Sequence, residues 1–402
     1  MKLSGRPWPP KVVRSPASLD ASSIAVLSAR LLLDLSPAST DAKGYEEELV
    51  QNHLRLLYSV QDNRRTIVTG SPPEPLVAEA SARIMHYHLD QEPYMDYWNL
   101  LREFVDRGLA AQGSIGELIG RALSIFAMDC AINKLEDSEL SELKYQTPVR
   151  VTDYYKALLT EDAWDILRQS VPANRARLSD DSATRTFEDA FKNAYFHFSH
   201  YGKANDSSPM CDMYAWALWL RGTAVACQEL GDRMAPIYFS KLGNVSPKTI
   251  SVHLDQDKTG QNVNLNTVAI QSAESLPTFF SDGNNLPCIV AVHCYALSTT
   301  TTKKQGIFVT MPSPSSYPPH RDSKIDGFEA PRYQINFRGL SAYGNISEGV
   351  KTSIRRMINQ SKNAVFSYHP REYGVPLLRR MLPVLTNDLE SMEWFGANTG
   401  MV

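Results

Sequence analysis

The sequence predicts an α/β or α+β protein: a helical N-terminal region followed by a mixed sheet of five or six strands flanked by helices. Three observations carry this. Before about residue 230 apolar residues recur at the spacing of one helix face. Past Gly231 the apolar period drops from 3.6 to 2. The run Pro287-Cys288-Ile289-Val290-Ala291-Val292-His293-Cys294 is apolar on both faces, as a central strand covered on two sides must be.

Residues 1–20 carry Pro7, Pro9, Pro10 and Pro16 and read as a flexible lead-in. Ile24, Leu27, Leu31 and Leu32 predict a helix over 22–35, and Leu49, Leu54 and Leu57 predict another over 45–58. After Gly70-Ser71-Pro72-Pro73, helices are predicted over 76–88, 94–109 and 114–132, which makes 21–145 a helical region. It closes on an acidic connector, 136–142, read as a solvated hinge. Residues 146–345 form the helix-plus-sheet core. Helices are predicted there over 153–159 and 161–169, and Phe187, Phe191, Ala194, Tyr195 and Phe198 predict one aromatic helix face. Ser208-Pro209 suits an N-cap followed by an N1 proline, opening a helix through Trp216, Leu220 and Ala224. Strands are predicted over 234–239, 249–254, 263–270, 288–295, 306–311 and 332–337, the first an edge or a bulge because it contains Pro236. Residues 346–402 return to helix, most clearly over 350–358 and 375–381.

A chain of 402 residues suggests two packed domains, and 43% hydrophobic with 21% charged residues is an ordinary globular composition. A net charge of -3 exerts no global pull on nucleic acid, so such a partner needs a local patch. The five cysteines lie mostly in apolar runs with no C-x-x-C, which favours buried free thiols in a reducing compartment. No stretch approaches the ~20 apolar residues of a membrane span, and the N-terminus lacks an apolar signal core. The expectation is an intracellular protein, in cytoplasm or nucleus, without a membrane partner.

Several chemistries lack their required spacing. There is no Walker A loop, no G-x-G-x-x-G and no G-x-S-x-G elbow. His86 and His88 project to opposite sides of a helix; His197 and His200 are better placed, but no carboxylate stands at ligand spacing. Asp255-Gln256-Asp257 puts two carboxylates at a strand end, where they can hold a hard cation such as Mg²⁺. Ser114-Ile115-Gly116-Glu117 fits an S-x-x-E capping box, and Glu117 is read either as that cap or as a metal ligand. Glu229 and Asp232 share a turn and are either solvated or part of a site. Between 345 and 380 seven cations, among them Arg355, Arg356, Arg379 and Arg380, face only Glu348 and Glu372 and form a candidate phosphate-binding patch.

The segment 184–208, with Phe187-Glu188-Asp189-Ala190-Phe191 and Phe196-His197-Phe198-Ser199-His200-Tyr201-Gly202-Lys203, resembles one found in a group of uncharacterised mushroom-fungus (basidiomycete) proteins, some fused to Crinkler-type or kinase-like modules. Residues 71–80 and 116–121 resemble the same group, and the similarity covers roughly 65–345. It implies a restriction-endonuclease-like core. In such cores one Asp opens a strand, an acidic or amide residue stands two positions before a Lys on the next strand, and often a Glu comes from an earlier helix. The carboxylates hold Mg²⁺ against the scissile phosphate and the Lys positions the attacking water. Asp232 with Pro236-Ile237 matches the first strand. On the second, the triad positions fall on His253-Leu254-Asp255, which puts an anion where the Lys belongs, with Lys258 three residues on and on the opposite face. The expectation is therefore a degenerate nuclease-like core, non-catalytic and acting by binding, with no cofactor. The alternatives are an active Mg²⁺-dependent nuclease using Asp232, Asp255 and Lys258, with Asp232 and Asp255 as metal ligands, and an effector-like or scaffold protein binding other proteins. The partner is nucleic acid or protein.

Overall fold

The computed structural model describes residues 19–35, 40–53, 55–60, 67–70, 74–87, 94–110, 114–204, 211–227, 231–242, 244–260, 263–280, 285–296, 305–312 and 329–363. The N-terminal third holds helices α1 (Ala21–Leu31) and α2 (Thr40–Asn52), a hairpin of β1 (Leu56–Val60) and β2 (Ile67–Gly70), then helices α3 (Pro75–Tyr87), α4 (Met95–Asp106) and α5 (Ile115–Ile132). There follow β3 (Val149–Arg150), α6 (Val151–Leu158), α7 (Glu161–Arg168), α8 (Asp180–Thr184), α9 (Phe187–Phe191), β4 (Ala194–Phe196), β5 (His200–Lys203), α10 (Asp212–Leu220) and β6 (Thr223–Ala226). The chain continues with β7 (Arg233–Phe239), β8 (Ile250–Lys258), α11 (Leu265–Ala273), α12 (Leu276–Phe279), β9 (Cys288–Cys294), β10 (Gly306–Val309), β11 (Arg332–Arg338) and α13 (Glu348–Asn363). Helices and a mixed sheet on this scale make an α+β fold.

The sheet runs in the order β10-β11-β9-β8-β7-β4-β3, with β5-β6 joined to β7. β8, β9 and β11 are mutually parallel, and the β7-β8 pair is antiparallel. β9, buried along its whole length, lies between β8 and β11, as its two-sided apolar run predicts. One apolar cluster stretches from Leu19 to Ile358 and joins α1, α4, α5 and α13 to one side of the sheet. A second fills the other side with Val252 and Leu254 of β8, Ala215 and Trp219 of α10, and Leu265 and Ala269 of α11.

The sheet has nine strands where five or six are expected, and several predicted elements are corrected. The segment 263–270 alternates like a strand but is the helix α11, capped by the Asn264 side chain accepting from the Thr267 N–H. Joining parallel β8 to β9 requires a crossover, and a helix there buries Leu265, Ala269, Ser272 and Ala273. The aromatic run from Phe187 is a helix only to Phe191; β4 follows, with Ala194 and Phe196 alternating inward and Phe196 paired with Ile237. The helix predicted over 45–58 stops at Asn52, and β1 pairs with β2. Pro236 lies in the interior of the sheet rather than at its edge. β7 pairs along one side with β8, while its other side meets β6 at Arg233 and Met234 and β4 from Ile237 onward. Pro236 stands where the partner changes, so its missing N–H costs no ladder bond. The Ser208-Pro209 cap and the helix at 375–381 lie outside the described residues; α10 itself begins after Cys211 and ends at Leu220, and Ala224, predicted on the same helix, belongs to β6 and pairs with Tyr201 of β5.

Candidate functional site

Antiparallel pairing of β7 and β8 puts Arg233 opposite Asp255, so the residue before β7, Asp232, reaches the last turns of β8. Gly231 makes this approach feasible. Its φ is +134°, and a Cβ there would stand 2.9 Å from the Asp255 carbonyl oxygen, so an L side chain is excluded both by the backbone and by space. The Asp232 N–H donates to that carbonyl at 2.9 Å. The Asp232 carboxylate then accepts the Gln256 side-chain amide at 3.0 Å, the Asp257 backbone N–H at 2.6 Å and the Lys258 ammonium at 3.4 Å. Burial, reinforced by the negative charge of Asp257, raises the Asp232 pKa above its ordinary value. Gln256 and Lys258 are i and i+2 of one strand and share a face, on the side of α10 and α11.

This revises the expected register. β8 continues through Lys258, and Gln256-Asp257-Lys258, rather than His253-Leu254-Asp255, is the amide-x-Lys triplet that faces Asp232. The sequence reading ended the strand at Leu254, which detached Lys258 from its face. His253 and Asp255 point the other way, into the interior under α5 and α6. Asp255 accepts from His293 Nε2 at 2.8 Å and pairs with Arg233 at 3.3 Å, while His253 lies against the Tyr155 hydroxyl at 3.2 Å. The proposed Asp232/Asp255 metal pair is thereby broken, because the two carboxylates belong to opposite faces of the sheet and Asp255 is already neutralised.

Arg233 anchors that interior. It grips Asp257 with two bonds of 2.7 and 3.0 Å and also donates to Ser124 and Tyr201. Burial opposes its charge, yet Asp255 and Asp257 outweigh burial and raise its pKa well above the ordinary value. Burial likewise pushes Asp255 upward, and Arg233, His253 and His293 together win, leaving it well below the usual carboxylate range.

Helix α5 lies directly on these groups. A Cβ at Gly120 would stand 2.4 Å from Asp257 Oδ1 and 2.7 Å from Arg233 Nη2. Gly120→Val therefore lifts α5 off β8 or breaks the Arg233–Asp257 grip, and is expected to destabilise the fold by about 2–3 kcal/mol in urea unfolding, as overpacking of a tight core does. An unchanged midpoint would show that the contact is not tight.

Glu117 sits on the first turn of α5. Ser114 makes no side-chain cap bond to the helix, so the capping-box reading fails. The half-buried Glu117 carboxyl is raised in pKa, mainly by burial, with Arg121 pulling it down and Asp232, Asp257 and Asp34 pushing it up. It therefore faces the same rim of the sheet as Asp232, from the α5 side. Among the described residues no three His, Cys, Asp or Glu side chains converge as a metal cluster. His197 is bonded to the Trp219 carbonyl and His200 to Ser199 and Thr223, which accounts for both as packing residues.

Of the predicted basic patch, Arg355 and Arg356 lie on α13, where Arg355 is 3.8 Å from Glu348; Arg379 and Arg380 lie outside the described residues. Glu229 does as well. Gln256 is the site residue that sequence reasoning passed over, although a polar residue two before a Lys, 24 positions after Asp232, was a readable signal once β8 was allowed to run on.

Residues 15–150 match a family described as a domain of unknown function (DUF8736). The matched segment is similar to that family and includes Glu117 but ends before Asp232, Gln256 and Lys258. No curated protein and no solved structure is matched by this chain. No disulfide joins the cysteines of the described residues, and no described helix is long and apolar enough to cross a membrane.

Proposed function

We propose that the chain is a Mg²⁺-dependent phosphodiesterase of nuclease type, working at Asp232, Gln256 and Lys258 with Glu117 beside them. The observation that carries this reading is the meeting of the Asp232 carboxylate, the Gln256 side chain and the Lys258 ammonium at the end of the β7-β8 pair. It is the pattern that the resemblance to a restriction-endonuclease-like core implies, and the reason for expecting a degenerate site disappears with the corrected register. The donor set suits a hard cation: the Asp232 carboxylate and, once the amide whose nitrogen now donates to Asp232 turns over, the Gln256 oxygen would hold it, with Glu117 approaching from the α5 side of the same rim. When bound there, Mg²⁺ would supply charge stabilisation of a phosphoryl group. The residues of the chain do the rest. Asp232 and Gln256 fix the position of the charge, and Lys258 offers an ammonium to the phosphate or to the attacking water.

A second reading keeps the site as a binding surface only. It is favoured by the present pairing of Lys258 with Asp232, which leaves the ammonium turned to a carboxylate. One experiment separates the two. Mn²⁺ titration should show micromolar binding that Asp232→Ala abolishes. Cleavage of single- and double-stranded DNA and RNA with Mg²⁺ should fall by ~100-fold or more in Lys258→Met, in the range of a lost acid–base or electrostatic group. Wild-type protein that neither binds the cation nor cleaves any of these substrates leaves the binding-only reading.

A further inference from the structure

Among the described residues one buried charge, on α5, has no partner. Arg121, on α5 one turn after Glu117, is 1% exposed, and its Nε is buried without a hydrogen bond. Among the described residues its guanidinium makes no ion pair. The other large buried guanidiniums on this side contrast with it. Arg30 is held bidentately by Asp129 at 2.6 and 2.7 Å and donates to the Ser199 carbonyl, and Arg233 is held by Asp255 and Asp257. A desolvated guanidinium left unpaired is strongly unfavourable, so a chain that places one there needs an anion from elsewhere.

The surroundings say where the anion arrives. Glu117 feels the charge of Arg121 without reaching it. On the same rim, Lys203 at the end of β5 is exposed and meets Asp34, just past α1, at 3.7 Å. β5 pairs with β6, and β6 pairs with β7 at Arg233, the residue after Asp232. Arg121 thus lies one turn from Glu117 on α5, and Lys203 ends its strand at the same end of the sheet, while Gln256 and Lys258, with Asp232 against them, face the α10 and α11 side.

We propose that Arg121 is the receptor for a phosphate group, held by its planar N–H fork next to Glu117 and oriented towards the strand-end site. Guanidinium matches phosphate oxygens bidentately and is the least strongly hydrated of the basic side chains, so it is the one suited to a desolvated anion site. The inference rests on the nuclease reading for the carrier of that phosphate, which is either a phosphodiester of the bound strand or a terminal or free monophosphate.

The test is binding without metal, in EDTA, so that its outcome is independent of cleavage. The probes are inorganic phosphate, a 12-nucleotide single strand and the same strand with a 5′-phosphate, against wild type, Arg121→Met, Arg121→Lys and Asp232→Ala. Arg121→Met should weaken phosphate binding by tenfold or more, with Arg121→Lys intermediate and Asp232→Ala retaining it. Competition by the unphosphorylated strand assigns the site to a phosphodiester; competition only by the 5′-phosphorylated strand assigns it to a monophosphate. The melting temperature of Arg121→Met should equal or exceed that of wild type, whereas Arg30→Met, which strands Asp129, should melt clearly lower. The proposal is overturned if wild type binds none of the probes, if Arg121→Met binds them within twofold of wild type, or if Arg121→Met melts as low as Arg30→Met.

Discussion

Arg233→Met is expected to remove about 3–5 kcal/mol of folding stability, read as a large drop in the urea midpoint. The substitution preserves volume but leaves Asp255 and Asp257, both buried, without the cation that neutralises them. The remaining partners do not compensate. His293 and Tyr295 donate one bond each, to Asp255 and Asp257, and neither carries a fixed positive charge. Against a total stability of about 5–15 kcal/mol for a typical domain, the loss threatens the native state itself. The combination Arg233→Met, Asp255→Asn, Asp257→Asn should recover much of it, because the buried charges then vanish together. A loss below about 1 kcal/mol in the single variant would mean that the network is solvated and that the tight seat of α5 on β8 is not what holds it.

Acid is expected to weaken the same interior from a higher pH than carboxylate titration alone explains. Burial pushes the His253 imidazole down to about 4, against the attraction of Asp255 and with the repulsion of Arg233 and His293. Unfolded, the ring takes a proton near its ordinary value of 6.5; folded, it resists until about pH 4. Between those values the unfolded state binds more protons, so the stability that His253 contributes is complete above about pH 6.5 and falls as pH drops towards 4. At about 1.4 kcal/mol per unit this amounts to about 3 kcal/mol. Asp255 adds a loss in the same direction further down, since its lowered pKa contributes stability above the ordinary carboxylate value that disappears as acid protonates the folded form. Urea midpoints measured from pH 7.5 to 4.5 should therefore slope downward in the wild type and flatten in His253→Gln. An identical slope in the variant would place the acid-sensitive group elsewhere.

Both effects arise in residues that the sequence offered for other roles. Asp255 and His253 were legible as a polar pair on a strand, but a polar residue on β8 serves either a solvent-facing site or a buried network, and period alone does not say which. The decision belongs to α5. Gly116 and Gly120 let that helix press on Asp257, and Ser124 completes the ligation of Arg233, so the odd-numbered face of β8 is sealed. Gln256 and Lys258 sit on the even-numbered face at the strand end and stay partly exposed.

By itself the sequence determined the element types wherever one periodicity ran long enough: α1, α3, α4 and α5 and the central strand β9. The change from helix to strand that it put near Gly231 falls earlier, because the short strands β3 to β6 already join the sheet before that glycine. The sequence also placed a strand just after Asp232. Short or ambiguous runs were settled only by tertiary structure. The parallel β8-β9 connection made a helix of the alternating segment at 263–270, and the split partnership of β7 brought Pro236 into the sheet interior. The same holds for the site. Which of Asp255 and Gln256 meets Asp232 depends on the β7-β8 register, and a one-residue slip moves every side chain to the opposite face. Local sequence carries the period of a strand; only the pairing carries its phase.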